Sequence, residues 1–342
     1  MEAHQGSMPP DSSAATPSRG LEAPDARTLG SPMVPGLVSV IVPIFNRQEL
    51  VATALDSILE QTYRSLEIVA VDDGSTDGTQ EILDSYAARF PDLITVIRQP
   101  NSGPAVARNR ALGQARGEFI AFLDSDDVWL PSKLELQLPR FAPEVGLVYS
   151  ALQEVDADGR VLTTVHCDQQ MRGDVYRHLL VRNRMTGGTV VIRRSVLETV
   201  GVFDESLRAA ENWDLWIRIS KAFAVDFVDQ PLLQYQKHED RLSLDRPRMQ
   251  AAAEAVLAKH FPEPPAEGDP LLDNYNRAYA NIYYRRGVNF FSAANYPEAR
   301  QMFRRCWEYC PGYRDSRVRY ARALLAAPAN SLLSRLKRSV SR

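Results

Sequence analysis

The sequence predicts an α/β fold with a mostly parallel sheet, and three observations carry that prediction. Apolar, β-rich runs alternate with stretches of helical periodicity from Leu37 to Leu123. Three of the runs end in polar, turn-forming clusters: Pro43 to Asn46, Asp72 to Thr79, and Asp124 to Asp127. Past a Pro- and Glu-rich break at Phe261 to Gly268, the chain reads all-helical and adds a small all-α region.

Leu37 to Pro43 is a strand of buried type, and Leu50, Ala54, Leu55, Ile58 and Leu59 then fall on one helix face. Leu66 to Val71 is the second strand. The Asp72 to Thr79 turn feeds a helix with Ile82, Leu83 and Tyr86 on its apolar side. Ile94 to Ile97 is the third strand, and Pro104 suits the first turn of the helix that follows. The fourth strand, Phe119 to Leu123, runs into Asp124-Ser125-Asp126-Asp127. The order β-α-β-α-β-α-β gives a sheet covered by helices. Beyond it, strands are expected at Val145 to Ser150 and Gly187 to Arg193. A hairpin-like turn is expected at Val155 to Val161, and helices at Asp174 to Val181, Arg194 to Val200 and Glu211 to Ile219.

With 342 residues, 44% hydrophobic and 24% charged, the chain suits a soluble protein of about two domains. A net charge of −3 gives no whole-chain case for nucleic acid as a partner. Cys167, Cys306 and Cys310 lack zinc spacing, and a reducing cytoplasm is the simplest inference. No apolar run is long enough to span a bilayer. Residues 1–36 are rich in Pro, Ser, Ala and Gly and read as a disordered tail.

Three carboxylates within four residues repel one another, and a cation offsets that repulsion. Oxygen ligands at a strand end, completed by substrate phosphates, are how proteins commonly hold Mg²⁺ or Mn²⁺. The alternative is a solvated acidic loop that merely ends the strand. Two further polar clusters at the same sheet edge favour the site, because ligands bind outside the carboxyl ends of such strands. No Gly-x-Gly-x-x-Gly follows the first strand and no Gly-Lys-Thr is present, which weighs against dinucleotide dehydrogenases and P-loop nucleotidases. A nucleotidyltransferase would show a Gly-rich basic loop after the first strand, and this chain does not.

In order, these motifs resemble the inverting nucleotide-sugar glycosyltransferases of family 2, which have the GT-A fold. The matching segments are Val38 to Asn46, Val71 to Asp77, Asn101 to Asn109, Asp124 to Asp127, Thr186 to Arg194, Gly201 to Asp204 and Glu211 to Trp216. The resemblance covers about Leu37 to Leu244 and implies a GT-A domain over 37–262. It also implies a cytoplasmic, metal-dependent enzyme. The sugar would move from a nucleotide donor, UDP-linked by expectation, to a hydroxyl of a saccharide or lipid-linked glycan in surface polysaccharide assembly.

By resemblance, Asp124 and Asp126 hold the divalent metal and donor diphosphate, with Asp126 most directly on the metal and Ser125 beside them. Asp73 meets the base edge, Pro43 and Phe45 line the base pocket, and Arg108 meets the diphosphate or base. His238 resembles a histidine that reaches the metal or diphosphate in relatives. The chain departs from the family at the catalytic carboxylate, where Glu211-Asn212 replaces the usual Glu-Asp. An amide is no general base. Glu211 is therefore the favoured base, with Asp214 the second candidate. Asp214 also stands four residues from Arg218, the spacing of a helix ion pair. The remaining alternative is a weak or inactive sugar-nucleotide-binding scaffold on the same fold.

In the C-terminal part, Gly287, Phe290, Ala299, Phe303, Cys306 and Pro311 fit one tetratricopeptide-like helix pair within 263–330. One repeat cannot bury its own face, so docking on the first domain, self-association or a partner protein is expected. Residues 331–342 are basic and amphipathic, which suits peripheral contact with an anionic membrane on its inner face or simply a solvated tail.

Overall fold

The computed structural model describes Leu29, residues 32–237 and residues 244–326. Nine strands form one mixed sheet: β1 (Val34–Ile44), β2 (Leu66–Asp72), β3 (Ile94–Arg98), β4 (Gly117–Phe122), β5 (Val128–Trp129), β6 (Val145–Val155), β7 (Val161–Val165), β8 (Val191–Arg193) and β9 (Ala224–Gln236). Its order is β3-β2-β1-β4-β8-β6-β9-β5, with β7 paired to β6. The helices are α1 (Val51–Leu59), α2 (Thr79–Arg89), α3 (Pro104–Leu112), α4 (Lys133–Gln137), α5 (Tyr176–Val181), α6 (Arg194–Val200), α7 (Glu211–Ala222), α8 (Arg246–His260), α9 (Leu272–Ser292) and α10 (Tyr296–Tyr309). A further helix, α11, covers 316–326.

Strands β3, β2, β1 and β4 run parallel, as the alternating pattern predicts. Every residue of β2 is buried, which is the burial expected of a strand covered on both faces. The other half of the sheet is mixed. β8 lies antiparallel between β4 and β6, while β6 and β9 run parallel to each other. β9 carries no continuous apolar run, and Pro231 falls at a register shift against β6. Gly187–Thr189 forms a 3₁₀ turn instead of the expected strand start, so the strand there shortens to Val191–Arg193.

The expected tail boundary moves. β1 begins at Val34, where Val34 pairs with Gly117 and the Gly36 N–H donates to Glu118. The Leu29 carbonyl accepts from the buried Arg194 guanidinium. The rest of 1–31 lies outside the described residues, as do His238 and the 331–342 tail.

Two apolar clusters sandwich the sheet. The larger reaches past the sheet to Ala278 and Ile282 of α9, so the C-terminal helices pack on the same core. Asn274 donates to the Arg177 carbonyl and Arg286 pairs with Glu254, which ties α9 to the α5 segment and to α8. Helices α9 and α10 share a third cluster around Tyr284, Ala299, Phe303 and Cys306. A Cβ on Gly287 would lie 2.6 Å from the Phe303 ring, so only glycine admits this close approach. The three cysteines are free.

Candidate active site

The clusters that end β1, β2 and β4 converge on one cavity of about 1370 Å³. Two loops are stitched together at its rim. Asn46 adopts a left-handed conformation (φ 51°), and its side-chain oxygen accepts from the Thr76 N–H at 2.8 Å. The Asn46 N–H donates to Ser75 Oγ, and the Arg47 N–H donates to Thr79 Oγ1. Asp72 accepts from the Ser75 N–H at 2.9 Å and so holds the turn. Gly74, at φ 79°, lies where a Cβ would meet the Asn101 backbone at 2.7 Å.

Asp73 is buried, and its carboxylate organises the 99–103 loop. Oδ1 accepts from Gln99 Nε2 and the Ser102 N–H, and Oδ2 accepts from the Gly103 N–H at 2.8 Å. This loop starts α3, which carries Arg108 into the cavity floor. Asn109 on the same helix staples α3 to the Gly201 to Asp204 segment through the Phe203 backbone, at 2.9 and 3.0 Å. Of the matching segments Thr186 to Arg194 and Gly201 to Asp204, Thr186 and Gly187 border the cavity, and the Phe203 loop supports α3 from behind.

Arg108 is the centre of the site. Its guanidinium is only 4% exposed and bridges two carboxylates: Nη1 to Glu211 Oε1 and Nη2 to Asp124 Oδ1, each at 2.6 Å. Burial alone would push this guanidinium down, but the flanking Asp124 and Glu211 carboxylates outweigh it and raise it above its ordinary value. Arg108 therefore stays charged between the β4 end and the α7 start, and one guanidinium with two carboxylates leaves the bridge as a whole net negative. Asp124 is 34% exposed and Asp126 20%, and Asp126 pairs with Arg47 at 3.5 Å. Ser125 is buried between them and also borders the cavity. Asp127 accepts from the Gln236 N–H and fixes the end of β9.

Glu211 opens α7. The residue before it, Ala210, is a non-glycine in the left-handed region (φ 58°) and also borders the cavity. Strain of this kind at a helix start, beside a buried carboxylate, is the backbone cost of aiming the first turn inward. Asn212 lines the cavity too, and its buried Oδ1 has no hydrogen-bond partner among the described residues.

The structure separates the two carboxylates that the sequence left as alternatives. Asp214 is fully buried and does not border the cavity. Arg218 Nη2 (2.8 Å), Lys259 Nζ (2.9 Å) and His260 Nε2 (3.0 Å) surround it. Burial pushes its carboxyl up, but His260, Arg218 and Lys259 more than reverse this and hold it well below the usual carboxylate range. With both oxygens engaged and no face on the cavity, Asp214 ties α7 to α8 and, through Arg218, to the Val200 turn. Trp213 borders the cavity with its indole donating to the Leu179 carbonyl, whereas Trp216 is fully buried.

Pro43 and Phe45 lie at the cavity edge, and Phe45 is 43% exposed. Among the described residues no three His, Cys, Asp or Glu side chains are grouped closely enough to hold a metal by themselves. Sequence reasoning missed Arg47, which immediately follows the first cluster. It also missed Arg182, Arg285 and Arg314, which reach the cavity only through tertiary packing.

The model of the family described as "Glycosyl transferase family 2" matches residues 39–201. The putative teichuronic acid biosynthesis glycosyltransferase TuaG of Bacillus subtilis is 33% identical over 215 residues, which cover 61% of this chain and 82% of that protein. An uncharacterized glycosyltransferase of Rickettsia typhi is 31% identical over 59% of this chain and 64% of its own length. The chain thus spans a little under two thirds of the length of that curated relative. Among solved structures, residues 1–349 of S. aureus TarS align with a TM-score of 0.55 at 21% identity, over 84% of this chain and 88% of that one. The mannosyltransferase PcManGT from Pyrobaculum calidifontis, in complex with GDP-Man and Mn²⁺, aligns with a TM-score of 0.58 at 22% identity, over 90% and 85%. At these identities the likeness is one of fold.

Proposed function

The chain belongs to glycosyltransferase family 2, on a GT-A fold, and we propose that it transfers a sugar from a nucleotide donor to an acceptor hydroxyl with inversion, using Glu211 as the base. The observation that carries this reading is the Arg108 bridge, which joins the acidic strand end to the α7 carboxylate inside one cavity.

The donor lies along the strand edge. Phe45 and Pro43 flank the base, and Asp73 meets its edge from the same side of the cavity. A UDP-linked sugar is the donor we favour. The TarS fragment has been solved with UDP and with UDP-GlcNAc, and PcManGT with GDP-Man, so both bases belong in the test.

Asp124 and Asp126 fit a divalent cation that takes its other ligands from water and diphosphate, as Mg²⁺ and Mn²⁺ do, so no three-residue cage is required. When bound, such an ion supplies charge neutralisation for the departing nucleoside diphosphate. Arg108 and Arg47 supply fixed positive charge from the protein at the same edge. His238 remains a candidate ligand outside the described residues.

Glu211 Oε1 is committed to Arg108, which leaves Oε2 to take the proton of the acceptor hydroxyl. The hydroxyl oxygen attacks the anomeric carbon opposite the diphosphate, so configuration inverts without a covalent enzyme intermediate. Asn212 stands where the family resemblance expects an Asp, and its amide supplies no base.

Turnover is measured with UDP- and GDP-sugars, with Mn²⁺ or Mg²⁺ and with chelator. Metal-dependent turnover that Asp126→Ala abolishes supports the enzyme. Nucleotide binding without any turnover replaces it with the scaffold reading that Asn212 favours. Among the described residues no helix is long and apolar enough to cross a membrane.

A further inference from the structure

The charge lining the cavity is unevenly divided. Its acids, Asp73, Asp124, Asp126 and Glu211, come from the sheet edge and the α7 start, where Arg108 and Arg47 answer three of them. The wall built by the end of α5, by α9 and by the α10–α11 loop contributes no acid to the lining. It contributes Arg182, Arg285 and Arg314.

None of these three has an ion-pair partner among the described residues, and Arg182 Nε is buried without a hydrogen bond. Neighbouring arginines in the wall are already engaged: Arg319 with Asp315, Arg246 with Asn289, and Arg248 with the Arg208 carbonyl. Arg314 is held in a left-handed backbone conformation (φ 48°), with its guanidinium 5.2 Å from the Tyr284 ring centroid and 5.5 Å from that of Tyr313. Burial, and then repulsion from Arg285, Arg184 and Arg314, push the Arg182 guanidinium down from its ordinary value. A chain of net charge −3 has no compositional reason to gather unpaired arginines in one wall. An anion would offset their repulsion. Three forked guanidinium groups suit a ligand with several anionic oxygens, which a diphosphate or two successive phosphodiesters of a polymer have and a single carboxylate does not.

We propose that Arg182, Arg285 and Arg314 bind a phosphate group carried by the acceptor, either the diphosphate of a lipid-linked saccharide or the phosphodiester of a polymer. This rests on the glycosyl-transfer reading, in which the donor diphosphate is held at the Asp124–Asp126 edge. Two of the three arginines come from the C-terminal helical region, so that region takes part in acceptor recognition as well as packing.

The test is equilibrium binding to the full chain, in chelator, of geranyl diphosphate and of a glycerol phosphodiester oligomer, with geraniol and glycerol as neutral counterparts. One phosphorylated probe binds and the neutral ones do not, and the probe that binds identifies the source. Arg285→Gln, at an exposed position on α9, weakens binding about tenfold, and the triple Arg→Gln variant weakens it further. UDP affinity with Mn²⁺, measured on the same proteins, stays within about twofold, a change worth only a few tenths of a kcal/mol. Absence of binding by both phosphorylated probes, or binding unchanged in both variants, overturns the proposal. Loss of UDP affinity together with the probe also overturns it, because the arginines would then serve the donor. If wild-type protein binds no UDP at all, the transfer reading fails. UDP binding without phosphate-probe binding defeats the arginine assignment alone.

Discussion

Replacing Arg108 by Met keeps the apolar stem of the side chain and removes the guanidinium that joins Asp124 to Glu211. The arm to Glu211 is buried at both ends. Breaking a buried pair by deleting one partner costs about 3–5 kcal/mol, because the other charge is left uncompensated. The arm to Asp124 ends on a carboxylate that is one-third exposed, so solvent screens it and it adds under about 1 kcal/mol. Arg108→Met should therefore lower stability by about 3–5 kcal/mol near neutral pH, a large part of the 5–15 kcal/mol typical of a domain. Glu211→Gln leaves Arg108 both Asp124 and an amide oxygen, so its cost is smaller, about 1–2 kcal/mol. Urea unfolding of both single variants and the double variant closes a double-mutant cycle. The expected coupling is at least about 1.5 kcal/mol, since a hydrogen bond to a charged group is worth that much. A coupling below about 0.5 kcal/mol, the level at which distant sites simply add, would refute the bridge.

Asp214 is held by three cations, so Asp214→Asn should destabilise by about 3 kcal/mol, while the folded fraction keeps its turnover number within a few-fold. A many-fold loss of turnover in the folded fraction would restore Asp214 as a catalytic group. Because its folded-state carboxyl sits below its unfolded value, its stabilisation is present above pH ~3.9 and is lost as pH falls below that. The wild type should therefore lose more stability than Asp214→Asn between pH 4 and pH 2, read as urea midpoints. Gly287→Ala forces a methyl group against the Phe303 ring and should cost about 1–3 kcal/mol, seen as a lower melting temperature; an unchanged one would mean that α9 and α10 have slack. If residues 331–342 hold the protein on anionic membranes, cosedimentation with anionic vesicles disappears when they are removed; equal cosedimentation without them ends that idea.

Much of the fold was legible because the parallel half of the sheet is written in local patterns. The runs at β1, β2 and β4 are buried on both faces, α1 and α2 carry one apolar stripe each, and α3 is buried nearly all round. The acidic strand end was legible because repulsion among Asp124, Asp126 and Asp127 needs a reason. β9 was not legible, since a strand with Pro231 at a bulge and polar residues throughout has no periodic signature. Gly187-Gly188-Thr189 looked like a strand start because Val190 to Ile192 follow, but Trp129 donates to the Gly188 carbonyl and pins the turn. The choice between Glu211 and Asp214 depended on partners 46 and 103 residues away in sequence, His260 and Arg108. The i,i+4 relation of Asp214 to Arg218 was the one local clue, and that pair is present. The arginine wall is longer-range still, built from three segments that share no motif.

Sugar transfer by purified Glu211→Gln, with a nucleotide sugar that the wild type turns over in Mn²⁺ or Mg²⁺, tests the role of this site most directly. Gln keeps the shape and the Arg108 contact but cannot accept a proton. Transfer should fall by about 10²–10⁴-fold, the usual worth of a general base, while nucleotide affinity changes little. Transfer at the wild-type rate would contradict Glu211 as the base and remove the reason for reading the Arg108 bridge as catalytic machinery.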